Sequence, residues 1–183
     1  LPLYLQLGLG LSPSYVGTLL LPSGLLLALT IAVVGRYSST HPTHLMVSFG
    51  LVLLALSFAL MLSVNLQTGL WVLVVFAILG RVGLGFILPS LNIGAMRGMD
   101  GSLIPQGASV INFLRMLGGA AGVSLCGILL EWRLAVHGDS LTNAKTSAMR
   151  LAAFDEVFLM LALVCMLALL AAWRIRQPHP HTH

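Results

Sequence analysis

Charged side chains are almost missing from this sequence: Asp, Glu, Lys and Arg make up 8% of its 183 residues. A soluble domain carries about 25%, so this chain cannot cover a globular surface with groups that water solvates. Its solvent must be lipid. Acidic residues are the fewest, five against nine basic ones. None is expected inside a membrane span: Asp100 falls in a loop, and Glu131, Asp139, Asp155 and Glu156 cluster toward one side. Intramembrane proton relays need carboxylates, so the proton-carrying group is expected outside this stretch of sequence.

Cysteine is equally sparse. Cys126 and Cys165 both lie in apolar runs, which argues against a disulfide framework and suits buried free thiols. No nucleophile–base set, phosphate loop or dinucleotide fingerprint is visible, so no enzyme activity and no cofactor are expected. The Gly83-Leu84-Gly85 element is mid-membrane and follows no strand. No metal site is expected either. His41 and His44 flank Pro42 without further ligands at metal spacing, and His179, His181 and His183 read as a solvated, proline-broken tail. The basic residues are scattered singly, which excludes a nucleic-acid patch despite the net charge of +4. There is no leading Met and no basic leader with a cleavage site. The sequence opens at Leu1 inside an apolar run, which predicts that it continues a longer chain.

What is abundant is apolar: 58% of the residues, with a mean hydropathy of +1.00. Leu1 to Gly8 reads as the tail of a helix. Spans are predicted over about 14–34, 44–64, 69–92, 105–132 and 155–173, with 174–183 as a cytoplasmic tail. Each exceeds the roughly 18 apolar-rich residues that a crossing takes. At about 20 residues per crossing plus loops, the length holds four to five helices, and the bundle is expected to comprise four full spans plus the end of a fifth. The expected fold class is therefore an all-α integral membrane bundle occupying the whole chain.

Orientation follows from the loops. Arg36, Arg97, Arg174 and Arg176 are placed in the cytoplasm, and Arg133, Lys145 and Arg150 outside. Four against three is the balance that the positive-inside rule has to work with. Trp71 and Trp132 then mark the outer interface and Trp173 the inner one.

The spans differ in kind. Those at 44–64 and 155–173 are nearly pure Leu, Val, Ala, Met and Phe, which suits lipid contact all round. Those at 69–92 and 105–132 carry Gly, Asn and Arg and must face protein or a water-filled cavity. Arg81 sits mid-span, with Ala77, Gly85, Leu88 and Asn92 as helical neighbours. A charge at that depth costs at least about 2.5–3.5 kcal/mol. It reads as lining a polar pathway together with Asn92, the alternative being a buried structural ion pair. Arg115 also sits mid-span, on a small and polar stripe of Ala108, Asn112, Gly119, Gly122 and Cys126. Val110, Phe113, Leu114, Leu117 and Ala121 form the opposite face. Gly118 and Gly122 have the GxxxG spacing that admits a close helix backbone. Simple packing, with Arg115 satisfied by neighbouring carbonyls, is the alternative.

Four stretches carry a family resemblance: LPLYLQLGLGLSPSYVGTLLLPSGL at the start, GRYSST from Gly35, GRVGLGFILPSLNIGAM, and GASVINFLRMLGGAAGVSLCGILLEWR. Together they resemble the major facilitator superfamily, in particular its fourteen-helix drug:proton antiporter branch. They look like the ninth helix running into the tenth, the cytoplasmic loop motif that follows it (Gly35, Arg36), the twelfth helix and the thirteenth. Where the family's loop has an acidic and further basic residues, this sequence has Ser38, Ser39 and Thr40. The resemblance implies a C-terminal transporter half. Its twelfth helix would line the central cavity, its tenth and thirteenth would meet the other half, and its eleventh and fourteenth would be peripheral. The implied function is proton-coupled efflux of hydrophobic, drug-like compounds by alternating access from the cell (inner or plasma) membrane. The implied partners are the bilayer, the N-terminal half of the same chain, a small hydrophobic substrate and protons. Arg81 and Asn92 would serve the substrate pathway. Asn112, Arg115, Gly118, Gly119 and Gly122 would form the contact between halves. An importer or an exporter of another solute, a non-transporting scaffold and a truncated remnant are the alternatives.

Overall fold

The computed structural model describes residues 2, 4–37, 42–65, 67–137 and 148–174. Ser38, Ser39, Thr40, His41, Asp139, Lys145, Arg176 and the three terminal histidines lie outside them, as does the side chain of Arg150. A π-helical turn, Tyr4–Gly8, leads into five helices: α1 Pro13–Tyr37, α2 Thr43–Met61, α3 Leu70–Met96, α4 Ile104–Val136 and α5 Ala148–Arg174. All five are long and apolar enough to cross a membrane. That count replaces four full spans and the end of a fifth.

Local chemistry sets the helix ends. Pro13 opens α1, where its missing N–H costs nothing, and the Ser12 hydroxyl accepts the Tyr15 N–H at 3.4 Å. Pro22 interrupts the backbone ladder inside α1, and the buried Ser23 hydroxyl donates to the Leu20 carbonyl at 2.7 Å. At the other end of the bundle α3 stops at Met96, and Gly98 takes φ +84°. A glycine in this left-handed position is a common helix terminator. A 3-10 turn, Gly101–Leu103, then leads into α4.

The helices do not share burial equally. α3 is central, packed against α1 on one flank and α2 on the other, whereas the backbones of α1 and α2 stay more than 8 Å apart among the described residues. Of the most apolar stretch of each helix, 39% is buried in α3 and 6% in α4. α2 packs on α3 and also on α5, burying Val47, Gly50, Ser57 and Met61. Lipid contact all round, expected for its apolar sequence, is therefore corrected.

Small residues explain why α2 and α3 meet. Ala77, Gly80, Gly83 and Ser90 on α3 recur at helical spacing and are buried. A Cβ on Gly50 would stand 2.6 Å from the Gly83 carbonyl oxygen, and one on Gly83 would stand 2.7 Å from the Gly50 oxygen. The two backbones are thus in direct contact, the arrangement that small residues permit in membranes. About two turns away the Ser57 hydroxyl donates across the interface to the Phe76 carbonyl at 2.7 Å.

The densest core lies at one end of the bundle, where Met61, Leu73, Leu134 and Phe158 meet the π-helical turn. Tyr4 packs edge-on against Phe154 and Phe158, with ring centroids 5.3 and 5.6 Å away. This packing holds the first turns of α5, including the buried Leu151, Ala153 and Phe154. The helix consequently starts at Ala148 rather than 155. Asp155 and Glu156 therefore stand inside a helix whose apolar stretch runs Leu151–Trp173, and the expectation that no carboxylate lies within a span is corrected.

Candidate functional site

A cavity of about 280 Å³ opens where α1 and α2 stand apart above α3. Leu20 and Ser23 of α1, Leu54, Ser57, Phe58 and Met61 of α2, Phe76, Ala77, Gly80, Arg81 and Leu84 of α3, and Phe158 of α5 line it, together with Pro2, which stands ahead of α1 in the chain. Arg81 is its one cationic group among the described lining residues, and no carboxylate lines it. No ion pair joins Arg81 to another described residue. The hydroxyls of Ser23 and Ser57 already donate to backbone carbonyls, so each has only lone pairs left to offer.

The geometry follows from the helix period. Ala77, Arg81 and Leu84 lie on one face of α3, beside the small-residue face that seats α2. The gap exists because α1 and α2 each pack on α3 while their own backbones stay apart. Asn92 is half-buried and does not line the cavity. It sits about 16 Å farther along the helix at about 1.5 Å per residue.

On α4 the structure brings Asn112 and Arg115 together: the arginine Nη2 donates to the asparagine Oδ1 at 2.6 Å. Both residues are exposed, as is every position from 112 to 121. A Cβ on Gly118, Gly119 or Gly122 would meet nothing within 4 Å. From Asn112 to Ala121 the small and polar stripe, expected to face protein or a cavity, thus faces no described helix, whereas Cys126 at its far end packs against the core. Gly35 and Arg36 end α1, where a Cβ on Gly35 would also meet open space.

A second polar cluster escaped the sequence reading. Arg133 on α4 and Glu156 on α5 form an ion pair, and His137 Nε2 lies 3.7 Å from Glu156. Nearby, the Tyr4 hydroxyl and the Asp155 Oδ1 are buried without a hydrogen-bond partner among the described residues. The four acidic residues read as one outer cluster were the available signal, but nothing in the spacing chose Glu156 as the partner. Ser57 and Gly50 were missed because their span reads as plain apolar. Isolated small and hydroxyl residues in such a span are the trace that a helix contact leaves.

Residues 1–123 match the sequence model of the Major Facilitator Superfamily. The chain belongs to that superfamily. Among its relatives are the MFS-type transporter ppz2 of Metarhizium majus, 27% identical over 78% of this chain and 25% of the relative, and the lincomycin resistance protein LmrB of Listeria innocua, 24% identical over 68% of this chain and 26% of the relative. The fatty acid resistance protein FarB of Neisseria gonorrhoeae is 28% identical over 75% of this chain and 27% of the relative. The chain spans about a quarter of the length of these major facilitator relatives. Family and helices together make it a multi-pass membrane protein.

Proposed function

We propose that this chain is part of a proton-coupled efflux transporter for hydrophobic, drug-like compounds, working in the cell membrane by alternating access between two helical halves. The observation that carries this reading is Arg81, a cation at mid-span facing a cavity with no described ion-pair partner. Retaining such a group costs about 2.5–3.5 kcal/mol or more at bilayer depth. A scaffold gains nothing from it, whereas a translocation pathway uses it.

Arg115 supports the two-halves arrangement. It is exposed in the middle of α4, beside bare glycines, and lipid is a poor neighbour for a guanidinium. A second half packed on this face would cover Asn112, Arg115, Gly118, Gly119 and Gly122. Two of these relatives are named for resistance, to lincomycin and to fatty acids, which fits export of small toxic compounds. The test is drug accumulation in cells making the full-length protein with Arg81→Ala. Accumulation should rise to that of cells without the transporter, with the variant still present in the membrane. Unchanged efflux would defeat the cavity assignment.

A further inference from the structure

We propose that the cavity beside α3 receives the head of a singly charged anionic amphiphile, with Arg81 holding the anion and the apolar walls holding the tail. The proposal rests on the efflux reading above and narrows its substrate class. Three features of the cavity carry it. Its one described cation has no counter-charge in the lining. A positive substrate would meet Arg81 in a low-dielectric space, where like charges repel strongly. A neutral one could accept hydrogen bonds from the guanidinium but would leave its charge unbalanced.

The other polar groups limit the charge. Ser23 and Ser57 commit their hydroxyl protons to the Leu20 and Phe76 carbonyls, so they present lone pairs to a ligand and cannot donate to it. Arg81 alone supplies donors, and its planar fork matches one carboxylate or sulfonate. A dianion would bring a second charge that nothing in the lining balances. The rest of the wall is hydrocarbon, with Leu20, Leu54, Phe58 and Met61 placed to take an alkyl or aryl tail. Burial of that tail supplies affinity in proportion to its apolar area when it comes from water.

The experiment uses the full-length protein reconstituted in liposomes under an imposed proton gradient. Three radiolabelled ten-carbon probes that differ only in the head are compared: decanesulfonate, decyltrimethylammonium and uncharged decyl glucoside. Gradient-driven movement should favour the sulfonate. Arg81→Gln should lower that movement by about ten-fold or more, as expected for loss of one partner of a desolvated charge pair. Arg81→Lys should restore a large part of it, which also shows that the variants fold. Preference for the ammonium probe would mean that a carboxylate elsewhere in the protein neutralises Arg81. That result overturns the anion assignment, as does sulfonate movement indifferent to Arg81→Gln or movement of the glucoside alone, while each leaves transport standing. Failure of all three probes to move would remove the transport reading itself, and this assignment with it.

Discussion

Arg133 on α4 and Glu156 on α5 grip one another at two points: the guanidinium Nε and Nη2 each donate to one oxygen of the carboxylate. The pair bridges two helices that share only limited apolar contact, Leu130 and Leu134 being the buried α4 residues at that end. Side-chain exposures of 27% and 32% place it between a surface and a buried ion pair. Water therefore screens part of its strength, and His137 adds a third group at 3.7 Å.

Breaking that grip should loosen α4. Glu156→Gln or Arg133→Gln is expected to cost about 1–2 kcal/mol, above a fully exposed pair and near a hydrogen bond to a charged group. Thermal unfolding of the purified protein, followed by tryptophan fluorescence, measures it. The double swap Arg133→Glu with Glu156→Arg should recover part of the loss. Unchanged melting in both single variants would mean that Leu130 and Leu134 alone hold the helix.

Two glycine substitutions should behave oppositely. Gly83→Ala pushes a methyl to 2.7 Å from the Gly50 oxygen and 3.0 Å from the Leu54 nitrogen. Backbone atoms cannot swing aside, so α2 and α3 must separate, at about 1–3 kcal/mol for an overpacked contact. Gly118→Ala meets nothing within 4 Å and should stay within about 0.5 kcal/mol in this bundle. A bulkier Gly118→Leu in the full-length protein should instead lower efflux while leaving the amount in the membrane unchanged. Normal efflux from that variant would count against α4 as the contact between halves.

Ser57→Ala removes the hydrogen bond to the Phe76 carbonyl at the loss of only one oxygen atom of packing volume. Interhelical bonds of this kind in membranes are worth about 0.6 kcal/mol on average and up to about 1.7. The short 2.7 Å geometry and the buried position place Ser57 toward the upper part of that range. A melting temperature equal to the parent's would show that the freed carbonyl finds another donor.

Arg81 and Asn92 should separate by stage of transport. Arg81 lines the cavity and Asn92 does not. Arg81→Ala is therefore expected to abolish substrate binding. Asn92→Ala should leave binding intact and slow translocation, since a pathway residue outside the cavity meets the substrate only in passage. Equal loss of binding in both variants would place the substrate lower along α3 than the cavity indicates.

The two arginine-bearing spans show how far residue patterns reach. For α3, the mid-span Arg81 and its glycines implied a helix facing protein and a cavity, and the helix is the most buried of the five. The same argument applied to α4 implied a stripe that faces protein, and positions 112 to 121 are all exposed. The pattern says that a surface wants a protein neighbour; it does not say that the neighbour is within the described chain. For α2 the expectation itself failed. An apolar span looked suited to lipid, and its Gly50 and Ser57 proved to be the points where α3 docks.

Composition by itself determined the solvent, the all-helical class and the membrane-length runs, because hydrophobicity adds up residue by residue along a chain and needs no partner. Ordered motifs such as GRVGLGFILPSLNIGAM determined the family in the same additive way. Which faces touch was decided only by the tertiary structure. Lipid tails and neighbouring helices are equally apolar, so no hydrophobic contrast marks a packed face in a membrane protein. The deciding terms belong to pairs: Gly50 against Gly83, Ser57 to Phe76, Arg133 to Glu156. Each pair lies far apart in sequence and acquires its energy only when two helices have already come together.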